Sequence, residues 1–317
     1  MAAMIFNAVL QFSALWMVIN AGLGDAKGTK VGFYSSSCPK AESIVAATVK
    51  THFDGDQTIA AGILRLFFHD CFVQGCDASI LITGASTEKN SLTNLGLRGF
   101  DVVEDAKAKI EAACKGVVSC ADILALAARD AVVLSKGPTW DVPTGRRDGL
   151  VSSSSDAANL PTPADSVSVQ KQKFADKGLT AEDLVTLVVF QLQTLQLHRH
   201  RKCGSEHEHD ISERGAIAVP CWCDGSKRVA LDKGSQMKFD ESFFKNVRDG
   251  KRCIGIDQRL WGDASTKTVV QKYAGTIRGL LGVRFDLAFA KAMVKMGNIG
   301  VKTGTDGEIR SVCSSFN

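Results

Sequence analysis

Hydrophobic positions at helical spacing dominate this chain. From Ala41 to Val49, apolar residues recur every three or four positions, which is typical of one buried helix face. The same pattern predicts further helices over residues 59–70, 101–114, 120–134, 167–177, 181–189, 241–247 and 285–296. Connecting segments rich in glycine or proline, such as 136–143 and 159–163, separate the predicted helices. Alternating strand patterns are scarce and no repeats appear, so the sequence predicts an all-α fold.

The first stretch of the chain has a different character. Residues 5–18 are mostly apolar, and no charged side chain precedes Asp25. Small residues follow, which favours a secretory signal peptide over residues 1–26 and a mature domain over residues 27–317. A membrane anchor is the alternative, but several polar residues interrupt a run that is already short for a membrane span: Asn7, Gln11, Ser13 and Asn20.

Composition narrows the class of protein. Of the 317 residues, 45% are hydrophobic and 23% are charged, which indicates a soluble globular protein with a sizeable core. The net charge of +4 comes from interspersed charges of both signs, which argues against nucleic-acid binding but leaves acidic polymers open as a partner. The ten cysteines favour an oxidising compartment.

The run Arg-Leu-Phe-Phe-His-Asp-Cys-Phe at residues 65–72 carries the first candidate chemistry. On a helix, Arg65 and His69 share one face, with Phe68 beside them to wall a pocket. The imidazole could move a proton between the two oxygens of a peroxide. The guanidinium could stabilise the negative charge that develops as their bond breaks. The alternative is an amphipathic helix with a hydrogen-bonded histidine and a surface arginine.

A loop rich in hard oxygen ligands follows this helix. Its candidate ligands alternate between side chains and backbone carbonyls: Asp70, Val73, Gly75, Asp77 and Ser79. If the loop turns back on itself, these oxygens could form a cage suited to Ca²⁺. Cys71 and Cys76 flank the loop and could close it with a disulfide. A surface acidic turn is the alternative interpretation.

Together these residues resemble the distal signature of the plant secretory (class III) haem peroxidases. The resemblance runs from about residue 32 to 189 and again from about 224 to 317, so it covers most of the chain. Further motifs support it: Gly-Phe-Tyr-Ser-Ser-Ser-Cys-Pro at 32–39, Val-Val-Ser-Cys-Ala-Asp-Ile-Leu-Ala at 117–125, Gly-Arg-Arg-Asp at 145–148, Asn-Leu-Pro at 159–161 and Asp-Gln-Arg-Leu at 257–260. The combination is far more specific than any single motif.

The resemblance implies a role for each matching residue. Arg65 would stabilise the transition state, and His69 would be the acid and base. Asn94 would orient His69 through its other ring nitrogen, and the carbonyl of Pro161 would line the site for aromatic donors. The distal calcium ligands would be Asp70, Val73, Gly75, Asp77 and Ser79, with Glu88 supporting them through water. The implied disulfides are Cys38–Cys114, Cys71–Cys76 and Cys120–Cys313.

One segment departs from the family pattern. The family follows Asp-Leu-Val-Thr-Leu with a Gly-Ala-His-Thr-Ile-Gly-like stretch, whose histidine binds the haem iron and whose threonine binds a second calcium. Here Asp-Leu-Val-Thr-Leu at 183–187 runs into Val-Val-Phe-Gln-Leu, with no histidine at the motif position. Asp257, which should orient that histidine, is present. The remaining side-chain ligands of the proximal calcium site are also present: Asp232, Ser235 and Asp240.

Residues 188–223 therefore form an aberrant segment of the peroxidase domain. Residues 190–197 can be back-translated so that reading one base later gives Phe-Ser-Tyr-Arg-Leu-Tyr-Asn-Phe, which is the kind of sequence the family carries there. The hypothesis is a deletion or missed splice followed by out-of-frame translation. The zinc-like spacings in the segment would then be accidental: His198 and His200, His207 and His209, Cys221 and Cys223. The pairing of Cys203, Cys221, Cys223 and Cys253 stays open.

The resemblance implies a haem-peroxidase fold in which haem b lies between a distal and a proximal helical lobe. It also implies two calcium ions, the second at an incomplete site. The expected reaction is reduction of hydrogen peroxide coupled to one-electron oxidation of phenolic donors. The alternative is a catalytically impaired, secreted, peroxidase-like protein without the proximal ligand. A monomer secreted to the cell wall or vacuole is expected, with acidic wall polymers as a further partner and with no nucleic acid or membrane among its partners.

Overall fold

The computed structural model describes residues 28–162, 165–188, 195–196, 228–229, 238–250, 255–275 and 282–317. Within these ranges the helices are α1 Ala41–Gly55, α2 Ile59–Phe72, α3 Phe100–Ala113, α4 Cys120–Leu134, α5 Val167–Asp176, α6 Ala181–Leu187, α7 Ser242–Arg248, α8 Gly255–Gly262, α9 Ala264–Tyr273 and α10 Gly282–Met296. The two-residue strands β1 Leu195–Gln196 and β2 Arg228–Val229 pair antiparallel. The predicted all-α class is confirmed. None of the described helices is long and apolar enough to cross a bilayer.

The helix ends follow local capping chemistry. The predicted helix over 120–134 matches α4, because the Ser119 side chain accepts a hydrogen bond from the Asp122 backbone N–H and starts the helix there. Helix α6 begins with a capping box between Thr180 and Asp183 and ends at Leu187, two residues before the predicted end. The apolar pattern of the sequence did not predict helices α8 and α9.

The first four helices form the distal lobe. Helix α4 packs against α1, α2 and α3, and nearly all of its residues are buried. Its buried face is rich in alanine, which allows the neighbouring helix backbones to approach closely. A polar capping residue and a predominantly small apolar sequence therefore make α4 the central element of this lobe.

A second group of helices forms the proximal lobe. Helix α6 packs against α5, α9 and α10, while α9 also contacts α7 and α8. The interior of this group is a cluster of aromatic rings whose neighbouring centroids lie 4.5 to 5.9 Å apart: Phe239, Phe244, Tyr273, Phe285 and Phe289. Edge-to-face contacts of this kind add to the stabilisation from burial. The chain thus has the two helical lobes expected of the haem-peroxidase architecture.

Three disulfides fix the distal lobe and the C-terminal segment. Cys38–Cys114 joins the turn before α1 to the end of α3. Cys71–Cys76 closes the loop after α2. Cys120–Cys313 joins the start of α4 to the C-terminal segment, across 193 positions of sequence. These are the pairings that the resemblance implies, while Cys203, Cys221, Cys223 and Cys253 lie outside the described residues.

A buried ion pair explains the Gly-Arg-Arg-Asp motif. The Arg146 guanidinium lies 2.7 Å from Asp122 Oδ1 and donates two further hydrogen bonds to the Gly297 carbonyl. The other Asp122 oxygen accepts hydrogen bonds from the Tyr34 hydroxyl and from the Gly145 and Arg146 backbone N–H groups. Both charged side chains are almost fully inaccessible to solvent. The pair therefore joins α4, the motif and the turn that follows α10.

A neighbouring carboxylate in the same motif serves the C-terminal segment. Asp148 accepts hydrogen bonds from the Cys120 and Ala121 backbone N–H groups at the start of α4 and from the Arg310 backbone N–H. The Arg310 guanidinium is itself buried and donates to the carbonyls of Ala78 and Gly149. Asp148 and Arg310 therefore hold the C-terminal segment against the loop after α2.

Replacing Asp122 tests this network. We expect Asp122→Ala to lower the free energy of unfolding by about 3–5 kcal/mol, because it leaves the Arg146 charge buried without its partner. Asp54→Ala is the control, since it removes an exposed carboxylate from an exposed ion pair with Lys50 and should change stability by less than about 1 kcal/mol. Urea denaturation of both variants measures the difference. Equal stabilities would contradict the assigned role of the buried pair.

Candidate active site

Helix α2 brings three of the predicted catalytic residues together. The Arg65 Nε–H group donates to His69 Nε2 over 3.2 Å, as their spacing of four residues on one helix face predicts. Phe68 is buried and stacks on Phe72 with a centroid distance of 4.1 Å. Phe174 of α5 completes this aromatic group. The packing fixes the rotation of α2 and hence the direction of its polar face.

A hydrogen-bond chain runs from His69 into the following loop. His69 Nδ1 lies 2.6 Å from Asn94 Oδ1, and Asn94 Nδ2 donates to the Glu88 carbonyl over 2.7 Å. Since the amide nitrogen donates to Glu88, the amide oxygen faces His69 and can only accept. The neutral imidazole therefore carries its proton on Nδ1, which leaves Nε2 as the basic atom beside Arg65.

Burial sets the protonation of this site. His69 is only 5% exposed, and this desolvation, followed by the positive charge of Arg65, lowers the pKa of His69 to about 3, while Asn94 partly opposes the shift. Burial also lowers the pKa of Arg65 from its usual value, although an arginine stays protonated in proteins. The site thus presents a neutral base next to a fixed positive charge.

The predicted side-chain ligands in and around the loop after α2 are buried. Asp70, Asp77, Ser79 and Glu88 are each at most 1% exposed. Asp70 Oδ2 accepts a hydrogen bond from the Ala78 backbone N–H, whereas Asp70 Oδ1 and both carboxyl oxygens of Glu88 have no hydrogen-bond partner. Buried carboxyl oxygens without partners are rare, because their desolvation is costly. They point to a cation that compensates them.

The raised pKa values of these carboxyl groups also show that their negative charge is poorly compensated. Burial, together with the negative charges of Asp77 and Glu88, raises the pKa of Asp70 well above its ordinary value. Burial also raises the pKa of Asp77, and it raises that of Glu88 to about 8. The Ser79 hydroxyl offsets a little of the effect on Glu88, although no well-formed hydrogen bond joins the two. Three buried acids crowd one another, and the donor set fits Ca²⁺.

The conformation of this loop is consistent with a cage of mixed ligands. Gly75 has a φ of +112°, and a side chain there would lie 2.6 Å from the Gly300 carbonyl, so the turn requires glycine. The described residues contain no group of three or more histidine, cysteine, aspartate or glutamate side chains around one metal position. The predicted ligand set also includes the Val73 and Gly75 carbonyls and the Ser79 hydroxyl, which are hard oxygen donors suited to Ca²⁺.

Two lysines that sequence reasoning missed reach the predicted calcium ligands. Lys302 Nζ lies 3.6 Å from Asp77 Oδ2, and Lys177 Nζ donates to the Val73 carbonyl over 2.9 Å. Neither lysine is close to its partner in sequence, and neither belongs to a recognisable motif. Only the folded chain brings them to the loop.

The remaining predicted site residues lie apart from this group or outside the description. Pro161 is half-buried at the end of the described range 28–162. Asp240 accepts a hydrogen bond from the Ser242 backbone N–H at the start of α7. The backbone of Asp257 belongs to α8. Asp232, Ser235 and almost all of the aberrant segment lie outside the described residues, including its histidines and the position of the proximal ligand.

Comparisons with known proteins show the family to which this chain is related. A family model described as Peroxidase matches residues 45–276. Peroxidase 25 of Arabidopsis thaliana is 59% identical over 300 residues, which cover 91% of this chain and 91% of that protein. Peroxidase N1 of Nicotiana tabacum is 51% identical over 314 residues, which cover 96% and 95%. Peroxidase 71 of Arabidopsis thaliana is 49% identical over 306 residues, which cover 93% and 91%.

The fold, the Arg–His pair and these likenesses define a haem peroxidase. The chain belongs to the peroxidase family, within its plant secretory (class III) branch. Family membership implies haem and calcium as cofactors and hydrogen peroxide with electron donors as substrates. It is also consistent with secretion, as are the three disulfides. None of the comparisons favours the catalytically impaired alternative.

Removing one crowded carboxylate tests the need for a cation. We expect Glu88→Gln to raise the free energy of unfolding by about 1–3 kcal/mol in the presence of a chelator, because it removes a carboxyl group whose ionisation is opposed by burial and by the negative charge of Asp77. In excess Ca²⁺ the gain should shrink or reverse. Thermal denaturation under both conditions measures this, with the partly exposed Glu42→Gln as the control. A gain that is independent of Ca²⁺ would contradict the interpretation.

Proposed function

We propose that Arg65 and His69 carry out the cleavage of hydrogen peroxide in this protein, with Asn94 as their positioning residue. The observation that carries this proposal is the continuous chain from Arg65 Nε through His69 to Asn94 and the Glu88 carbonyl. It fixes the tautomer of the imidazole, its orientation and the location of the neighbouring positive charge. Haem, when bound, supplies the electrons that reduce the peroxide and regains them from donor molecules.

His69 moves one proton during the reaction. Its Nε2 atom is unprotonated, since burial and Arg65 hold the pKa of His69 far below neutrality. It accepts the proton of the peroxide oxygen that attacks and returns it to the oxygen that leaves as water. Asn94 keeps the Nδ1 proton in place, so that the same ring nitrogen receives and donates the proton.

Arg65 stabilises charge without moving a proton. The O–O bond breaks with negative charge growing on the leaving oxygen, and a guanidinium fixed in a poorly solvated site lowers the energy of that state. Its hydrogen bond to His69 holds it in position before the substrate arrives. Phe68 limits the free space beside the pair, because it is locked between Phe72 and Phe174.

We assign one Ca²⁺ to the loop after α2. The ligands are the side chains of Asp70, Asp77 and Ser79 and the carbonyls of Val73 and Gly75, with Glu88 acting through water. The partnerless carboxyl oxygens support this assignment. The carbonyl of Glu88 holds Asn94, so the cation supports His69 through a short chain of contacts. A second Ca²⁺ would use Asp232, Ser235 and Asp240, with its threonine ligand missing from the chain.

The donors we propose are small phenolic compounds that contact the Pro161 carbonyl. The protein would act as a monomer in the cell wall or vacuole, after removal of residues 1–26 as a signal peptide. The net charge of +4 supports weak adhesion to acidic wall polymers. In the family the histidine that binds the haem iron lies in the stretch after Asp-Leu-Val-Thr-Leu, and this chain has no histidine at that motif position after Leu187.

Substitution of the catalytic pair tests the proposed mechanism. We expect His69→Leu to slow the reaction of the haem-loaded protein with hydrogen peroxide by about 100- to 10,000-fold, because the proton carrier is lost. Arg65→Leu should slow it by about 100- to 1,000-fold. His52→Leu is the control, since that histidine lies between acidic side chains at the protein surface. Stopped-flow measurement of the Soret band gives the rate constants, and an unchanged rate for His69→Leu would refute its role.

Haem binding separates the enzyme from the impaired alternative. We expect the protein to give a Soret band on reconstitution, and the band should shift on addition of peroxide. The matching test is the transcript across the codons for Leu187 to Asp224. A transcript encoding a His-Thr-Ile-Gly-like stretch supports an ordinary peroxidase. A transcript that encodes the sequence of this chain without such a stretch, together with no Soret band, would establish the impaired protein instead.

A further inference from the structure

The predicted calcium cage is contacted by two cationic side chains of this chain. Lys302 Nζ lies 3.6 Å from Asp77 Oδ2, and the Lys302 side chain is 26% exposed. Lys177 Nζ donates to the Val73 carbonyl over 2.9 Å from just beyond the end of α5. Both contacts fall on groups that are expected to bind Ca²⁺. Each lysine therefore competes electrostatically with the ion that the cage is built to hold.

The position of Lys302 is fixed by its backbone. The Arg147 backbone N–H donates to the Lys302 carbonyl over 2.8 Å, and the Cys76 backbone N–H donates to the Ile299 carbonyl over 2.9 Å. Gly75 and Gly300 approach so closely that a side chain on either would meet the other's backbone. The segment that carries Lys302 is thus clamped against the loop, and its ammonium group stays within reach of Asp77.

We propose that Lys302, assisted by Lys177, sets the affinity of the distal cage for Ca²⁺ by acting as an internal counter-cation. Without Ca²⁺, the ammonium group partly compensates the buried carboxylate of Asp77 and stabilises the empty loop. With Ca²⁺ present, the same charge repels the ion. A group that stabilises only the metal-free state weakens metal binding by the same factor. This inference rests on the calcium site proposed above and adds to it the residues that tune it.

Arg310 has a different function in the same region. It is fully buried, and its guanidinium donates to the carbonyls of Ala78, Cys313 and Gly149. Replacing it would break the packing of the C-terminal segment as well as change the charge. Lys302 is partly exposed and makes one ion pair in the described structure, so its charge can be removed with little disturbance of the fold.

The test is the affinity of the full chain for Ca²⁺, measured by isothermal titration after removal of bound metal with a chelator. We expect Lys302→Met to bind Ca²⁺ about five- to thirtyfold more tightly than the wild type at low ionic strength, and the difference should shrink in high salt. Lys302→Arg keeps the charge and should bind like the wild type. Lys272→Met, which removes a surface lysine paired with Glu182 on the proximal side, is the matched control.

Stability gives a second, independent measurement. We expect Lys302→Met to lower the melting temperature in chelator, since Asp77 loses its counter-cation, and we expect this difference from the wild type to disappear in excess Ca²⁺, because tighter binding of the ion offsets it. A purely structural role would lower it under both conditions and would overturn the inference. Lys177→Met should change the affinity in the same direction, which keeps the inference testable if Lys302→Met folds poorly.

The outcomes separate this inference from the calcium site itself. Asp77→Asn identifies the titration that belongs to the cage, because it should abolish that binding. A wild-type chain with no binding that depends on Asp77 would refute the cage and the inference with it. Equal affinities of the wild type, Lys302→Met and Lys177→Met, with the Asp77-dependent binding intact, would overturn the tuning by lysine and leave the cage standing.

Discussion

The compensation of three buried carboxyl groups is the constraint on which the distal half of this protein depends. Asp70 at the end of α2 and Asp77 and Glu88 after it are buried from solvent. Asp70 Oδ1 and both carboxyl oxygens of Glu88 have no hydrogen-bond partner. Asp70 directly follows His69 on α2, while the Glu88 carbonyl holds Asn94 against the imidazole. A change in the charges of this loop therefore affects His69, because Asp70 is its covalent neighbour and because Asn94 links it to the Glu88 carbonyl by hydrogen bonds.

The C-terminal segment also contacts the distal loop and α4. Arg310 donates a hydrogen bond to the Ala78 carbonyl, Lys302 forms an ion pair with Asp77, and Cys313 forms a disulfide with Cys120 at the start of α4. In the turn after α10, the Gly297 carbonyl accepts a hydrogen bond from the Arg146 guanidinium, which also pairs with Asp122. The proximal helix α10 and the distal loop are thus joined by buried polar contacts, which explains why a segment distant in sequence is needed to build the distal site.

The pattern of the sequence predicted strongly amphipathic and well-capped helices best. The ends of α4 follow from Ser119 and from a continuous apolar run, whereas α9 starts at Asp263, whose side chain caps the Ser265 and Thr266 backbone N–H groups. That cap could have revealed α9, which the apolar pattern did not predict. At Asp240 the structure shows a hydrogen bond from the Ser242 backbone N–H, while the predicted role of this residue as a calcium ligand stays a prediction.

The sequence by itself determined that Arg65 and His69 lie together, because a spacing of four residues places them on one face of any helix. It also determined the oxygen-rich loop, since the candidate ligands lie within a few residues of one another. The family resemblance implied that Asn94, 25 positions away, orients His69, and the structure shows their hydrogen bond. Only the tertiary structure decided that Lys302 and Lys177 reach Asp77 and Val73. Contacts between distant residues depend on how helices and loops pack, and no local periodicity encodes that packing.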